Sequence, residues 1–185
     1  QRKETVMSAA RTLTTHRGAI RFPAFIPVTT FGRKYPLDDL VRPYLPRLAT
    51  IDDAPPLLGV RGALDTLMRP MIAIVGSRNA SAAGLKFASK LAHELGDAGF
   101  IIISGLARGI DGAAHLGALH ANGAPPIGVV GSGLDVPYPK VNAALWSAVA
   151  AQGVLLSEAP PGAPPSAWRF PARNRMIAAL ADVVV

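Results

Sequence analysis

Five short apolar runs recur at intervals of 26–29 residues: 71–75 (Met-Ile-Ala-Ile-Val), 100–103 (Phe-Ile-Ile-Ile), 127–130 (Ile-Gly-Val-Val), 154–156 (Val-Leu-Leu) and 183–185 (Val-Val-Val). Unbroken rather than alternating apolarity marks strands covered on both faces, as in a parallel sheet. The intervals carry helical patterns. Gly84, Phe87, Ala88, Leu91 and Leu95 form one stripe that ends near Gly96 and Gly99, and further helices are predicted at 111–121, 142–151 and 174–181. Asp111 reads as an N-cap. Strands alternating with helices at this spacing predict a doubly wound α/β sheet with right-handed crossovers.

The first 70 residues differ. They are irregular, rich in Pro, Arg and Thr, and no strand or helix is predicted in them. Pro55, Pro56 and Pro70 punctuate the approach to the first run. The net charge of +7 is concentrated there: residues 1–70 carry eleven Lys/Arg and six Asp/Glu, residues 71–185 eight and six. An anionic partner of the regular part therefore has to be held by placed arginines and backbone donors, not by bulk charge. The chain has no cysteine, which excludes disulfides and thiolate metal sites. No apolar run approaches a membrane span and the N-terminus leads into no signal core, so the cytoplasm is expected.

Ligands of an open parallel sheet bind beyond the carboxyl ends of its strands. The residues there are Gly76-Ser77-Arg78, Ser104-Gly105-Leu106-Ala107-Arg108-Gly109-Ile110-Asp111, Gly131-Ser132-Gly133-Leu134-Asp135 with Tyr138-Pro139-Lys140, and Ser157-Glu158 followed by a proline loop over 159–168. That loop leads into Trp168-Arg169-Phe170-Pro171-Ala172-Arg173-Asn174-Arg175. Glycines allow close backbone approach, and helix N-termini favour anions. Guanidinium groups grip phosphates, and aromatic rings offer faces to bases. Together these suit phosphates joined to bases. Plainer roles stand beside each: Arg78 as a helix cap, Trp168 and Phe170 as anchors packing the loop down, His115 as a packed or locally bonded histidine. P-loop, dinucleotide, zinc-protease and nucleophile-elbow motifs are absent, and no cofactor or metal is implied.

The ordered blocks Ile74-Val75-Gly76-Ser77-Arg78, Ser104 to Asp111 with Ala114-His115, Gly131 to Val136 with Tyr138-Pro139, Leu156-Ser157-Glu158 and Phe170 to Ile177 resemble the DNA-processing protein A (DprA/Smf) family. Tyr44 to Leu58 resembles the family's lead-in. The resemblance implies a Rossmann-like, mostly parallel sheet with an irregular N-terminal extension, reading as truncated at its C-terminal strands and expected to continue past Val185. It implies a binding protein, not an enzyme. Such a protein holds single-stranded DNA, protects incoming DNA during natural transformation, helps load the RecA recombinase and commonly forms homodimers. The pocket is carried onto Gly76, Ser77 and Arg78 first and then Lys140, with Arg173 and Arg175 either contacting DNA or bracing the site. Ser104, Gly105, Arg108, Arg169 and Asn174 complete the candidate set. Three units are expected: an extension at 1–43, a lead-in at 44–69 and the DNA-binding domain at 70–185. Thr14 to Thr30 resembles the opening of a tRNA-guanine transglycosylase without its catalytic acids, so that activity is not carried over. The competing reading is a small-nucleotide hydrolase of the lysine-decarboxylase-like (cytokinin-activating) type. Its Pro-Gly-Gly-x-Gly-Thr loop is replaced here by Gly131-Ser132-Gly133-Leu134-Asp135.

Overall fold

The computed structural model describes residues 47–185 together with four short N-terminal strands, β1 (Met7–Ser8), β2 (Thr12–Thr15), β3 (Gly18–Arg21) and β4 (Ala24–Pro27). Strands β1–β3 form an antiparallel sheet in which Leu13 pairs with Ile20. These strands correct the reading of 1–43 as irregular and without strands; the rest of that reading lies outside the described residues.

Each predicted apolar run is a strand: β6 (Met71–Ala73), β7 (Ile101–Ser104), β8 (Ile127–Val130), β9 (Val154–Ser157) and β10 (Val183–Val184). Helices α1 (Ala82–Asp97), α2 (Ile110–Leu119), α3 (Ala143–Gln152) and α4 (Arg169–Leu180) fill the intervals. The predicted fourth helix starts five residues too late, because Pro171 reads as a breaker. It sits in the first turn, where its missing N–H costs no helical hydrogen bond. The predicted N-cap at Asp111 is also corrected: Gly109, at φ 78°, caps α2 and Asp111 lies inside its first turn.

The lead-in contains a strand that the sequence did not reveal, β5 (Leu57–Gly62), antiparallel to β9 with Val60 opposite Leu156. The main sheet runs β10-β6-β7-β8-β9-β5-β4, parallel from β10 to β9 and antiparallel beyond. Six of its strands lie within residues 47–185.

Alternate strand residues separate into two cores, as the pleat requires. Met71, Ala73, Ile101, Ile103, Ile127, Val129, Val154 and Leu156 pack with β5 and with Met176, Ile177 and Leu180 of α4. On the other face Ile74 and Ile102 meet the alanines of α1 and α2, while Val130 and Leu155 meet Trp146 and Val149 of α3. The first three helices thus cover one face and α4 the other. The chain steps from β6 to β9 in one direction, then α4 carries it back to set β10 beside β6. This return passes the beginning of α4 over the strand ends, the place where such sheets bind ligands. Among the described residues no helix is long and apolar enough to cross a membrane.

Candidate functional site

Two loops at this edge are locked together by glycine. Ile110 donates its backbone N–H to the Ser77 carbonyl at 3.1 Å, tying the loop after β6 to the loop after β7. A side chain on Gly109 would strike that same carbonyl, and its left-handed φ disfavours any other residue. Beside Gly105 the Arg173 guanidinium occupies the space a Cβ would take, so a side chain there would have to displace it. Leu106 holds φ 55°, an uncommon conformation for a non-glycine residue. Asn142, just before α3, fixes it by donating to the carbonyls of Leu106 and Ala107 at 3.0 Å each.

The edge holds a cleft with two adjoining compartments. One, of about 460 Å3, is lined by Gly76, Arg78, Asp111, Phe170, Arg173 and Asn174 among others. The second, of about 280 Å3, is lined by Arg78, Gly105, Arg108, Ser132, Tyr138 and Phe170 among others. Arg78, Ala107, Phe170 and Arg173 belong to both. The Arg78 guanidinium lies 5.4 Å from the Phe170 ring centroid, and Tyr138 stacks on Phe170 with centroids 5.4 Å apart. Cation, phenyl ring and phenol therefore form one group at the junction. Arg78 is exposed and, among the described residues, has no carboxylate partner.

Beneath them lies a buried polar cluster. Arg173, only 5% exposed, donates to the Val129 carbonyl and lies 3.9 Å from the Asp111 carboxylate. Burial lowers the Arg173 pKa to about 10; Asp111 opposes the shift and Arg78 adds to it. Burial raises the Asp111 pKa, outweighing the Arg173 cation and the backbone N–H groups of Gly76, Ala107 and Gly105. One turn along α2, His115 is fully buried, and its ring nitrogens form no well-aligned hydrogen bond among the described residues, though the Ser104 backbone lies near the ring. Burial lowers its pKa to about 4; the Ser104 backbone opposes this and Arg173 reinforces it. The histidine is neutral, so the cluster's charge is the Arg173–Asp111 pair.

The candidate residues divide accordingly. Gly76, Arg78, Gly105, Arg108, Arg173 and Asn174 line the cleft. Ser77 is exposed beside it and accepts from the Asn79 N–H at 3.1 Å. Ser104 is buried and donates to the Ile74 carbonyl at 2.6 Å, so it braces two strands instead of facing the cleft. Lys140 is exposed in a short 3-10 turn outside both linings. Arg169 reaches a third hollow and donates to the Pro164 carbonyl at 2.9 Å. Arg175 turns away: it grips Glu158 with both terminal nitrogens at 2.6 and 2.5 Å and meets Asp53 at 2.7 Å. This fastens the lead-in to α4. Of the two aromatics read first as anchors, Phe170 packs within the cleft, whereas Trp168 is largely exposed. Asp111 as the Arg173 partner and Asn142 as the loop clamp were not legible, since each acts across a long stretch of chain.

The family model described as DNA recombination-mediator protein A matches residues 33–185. DNA processing protein DprA of Streptococcus pneumoniae is 47% identical over 138 residues, covering 75% of this chain and 48% of the relative. Protein Smf of Synechocystis is 43% identical over 148 residues, 77% of this chain and 37% of the relative. The chain thus spans half or less of these relatives' length. An X-ray structure of the Streptococcus pneumoniae DprA superposes with a TM-score of 0.70 over 75% of this chain and 48% of that one. A structure of the Helicobacter pylori protein, concerned with its single-stranded DNA binding mode, gives 0.70 at 33% identity, covering 75% of this chain and 63% of that one.

Proposed function

This chain belongs to the DNA recombination-mediator protein A family, and we propose that its strand-end cleft holds single-stranded DNA without performing chemistry on it. Arg78 carries the reading: an exposed guanidinium without a carboxylate partner among the described residues, set over the Phe170–Tyr138 stack where two compartments meet. A phosphate on Arg78 leaves the neighbouring base beside aromatic rings, the pairing of contacts that sequence-tolerant strand binders use. Arg108 adds positive charge, Asn174 adds a neutral donor, and the buried Arg173, paired with Asp111, supports the floor of the cleft. Support also comes from the Helicobacter pylori relative, whose own single-stranded DNA binding mode has been described.

The larger reading follows the family. Residues 70–185 carry the DNA-binding edge, while the lead-in 44–69 adds β5 to the same sheet and the 1–43 extension adds β4 beyond it. The protein protects incoming strands in natural transformation, delivers them to RecA and works as a cytoplasmic homodimer. Titration of oligothymidylate against Arg78→Ala tests the site. A charge-assisted contact is worth about 1.5–3 kcal/mol, so affinity should fall roughly ten- to a hundredfold. Each lost phosphate contact should also flatten the salt slope by about 0.7. Unchanged affinity in a variant of normal thermal stability removes Arg78 from the interface.

A further inference from the structure

Beyond the two compartments lies a third hollow of about 160 Å3, lined by Gly131, Glu158, Pro160, Trp168, Arg169 and Arg173 among others. It neighbours them and shares lining residues with each. Arg173 borders all three spaces, and Val130 and Gly131 border the second and third. They follow the order of the strands: Val184 and Gly76 at one end, Gly105 and Ser132 between, Glu158 and Trp168 at the other. From β10 to β9 is four strand intervals, or about 19 Å at ~4.8 Å each. A track of that length accommodates more than the one nucleotide held at Arg78.

Trp168 stands at its far end with 65% of its surface exposed, while the other tryptophan, Trp146, is buried at 1%. The Arg169 guanidinium lies 5.1 Å from the Trp168 ring centroid, and Arg169 is itself tied to the Pro164 carbonyl in the proline loop. The indole therefore has a cation over its ring and most of its surface exposed. The Glu158 carboxylate would repel a phosphate, but Arg175 grips both of its oxygens. What remains is a flat aromatic surface with a cation beside it.

We propose that Trp168 is a base-stacking residue that extends the DNA track past Arg78 to the end of β9, with Arg169 both steadying the indole and meeting the adjacent phosphate. This rests on the cleft being a single-stranded DNA site. The ligand class is any nucleobase on a single strand, because every base has a π face.

The test compares wild type, Trp168→Ala, Trp168→Phe and Arg78→Ala against oligothymidylate and an abasic strand of equal length. Base–aromatic stacking is worth about 1–3 kcal/mol, so Trp168→Ala should bind oligothymidylate roughly tenfold more weakly. Trp168→Phe should recover most of the loss. The abasic strand should bind Trp168→Ala and wild type alike. Tryptophan emission should be quenched by oligothymidylate in wild type and unchanged in Trp168→Phe, where Trp146 alone reports. Full affinity in Trp168→Ala, or an equal loss on the abasic strand, overturns the proposal. If Arg78→Ala weakens binding while Trp168→Ala does not, the cleft reading stands and only Trp168 falls. If wild type binds neither strand, both fall.

Discussion

Lowering the pH from 7 to 4 is expected to cost this fold about 3 kcal/mol through one buried side chain, His115. The unfolded chain protonates histidine near 6.5, whereas burial, aided by Arg173 and opposed by the Ser104 backbone, holds the folded value at about 4. Between those values the unfolded state carries a proton that the folded state lacks, so stability falls as pH drops through 6.5. The loss stops growing below about 4. The gap from 6.5 to about 4, at about 1.36 kcal/mol per pH unit, sets the magnitude. Asp111 works the other way: its folded pKa is raised, so its protonation returns stability as pH falls through that raised value. His115→Leu separates the two, because it deletes the histidine linkage and keeps the carboxyl. Urea midpoints at pH 7, 6, 5 and 4 should show the stability difference between variant and wild type shifting by about 3 kcal/mol in favour of the variant toward acid. Parallel curves for the two proteins would mean that His115 is either accessible to protons or hydrogen-bonded in its charged form, and the buried cluster would have to be redrawn.

Two other perturbations bear on the site's framework. Arg173→Met should destabilise by about 3 kcal/mol at neutral pH by stranding the buried Asp111 carboxylate; the deficit should shrink in acid as Asp111 takes up a proton, and a pH-independent deficit in chemical denaturation would contradict the pairing. Arg175→Ala should cost about 1 kcal/mol, since its ion pairs are partly exposed and screened, while oligothymidylate affinity changes less than twofold; a loss matching Arg78→Ala would place Arg175 on the DNA.

Much of the fold could be read in advance because buried parallel strands have a loud local signature. Ile101, Ile102 and Ile103 are all buried, and their unbroken apolar run marks β7 directly. β5 escaped because it is antiparallel, interrupted by Gly59, and partly exposed at Leu57, Arg61 and Gly62; its strand character comes from pairing with β9, nearly a hundred residues away. The beginning of α4 was hidden by Pro171, a residue that both stops helices and sits comfortably in their first turn. In the cleft, sequence identified the loops but not their division of labour. Arg78, Arg173 and Arg175 look equivalent as letters. One is exposed, one is buried against Asp111 and one is gripped by Glu158 and Asp53. Those differences arise from partners on other strands and helices, which no local pattern encodes. Gly105 illustrates the same point: the space beside it is taken by the guanidinium of Arg173 on α4.

The most direct measurement is a titration of this chain with single-stranded and double-stranded oligonucleotides of equal length over rising salt. Tight binding to the single strand, weak binding to the duplex, and a logarithm of affinity that declines linearly with the logarithm of salt concentration are expected of a cleft built from phosphate-binding arginine and stacking rings. Equal affinity for both forms, or no affinity for either, would contradict a single-stranded DNA site at the ends of these strands.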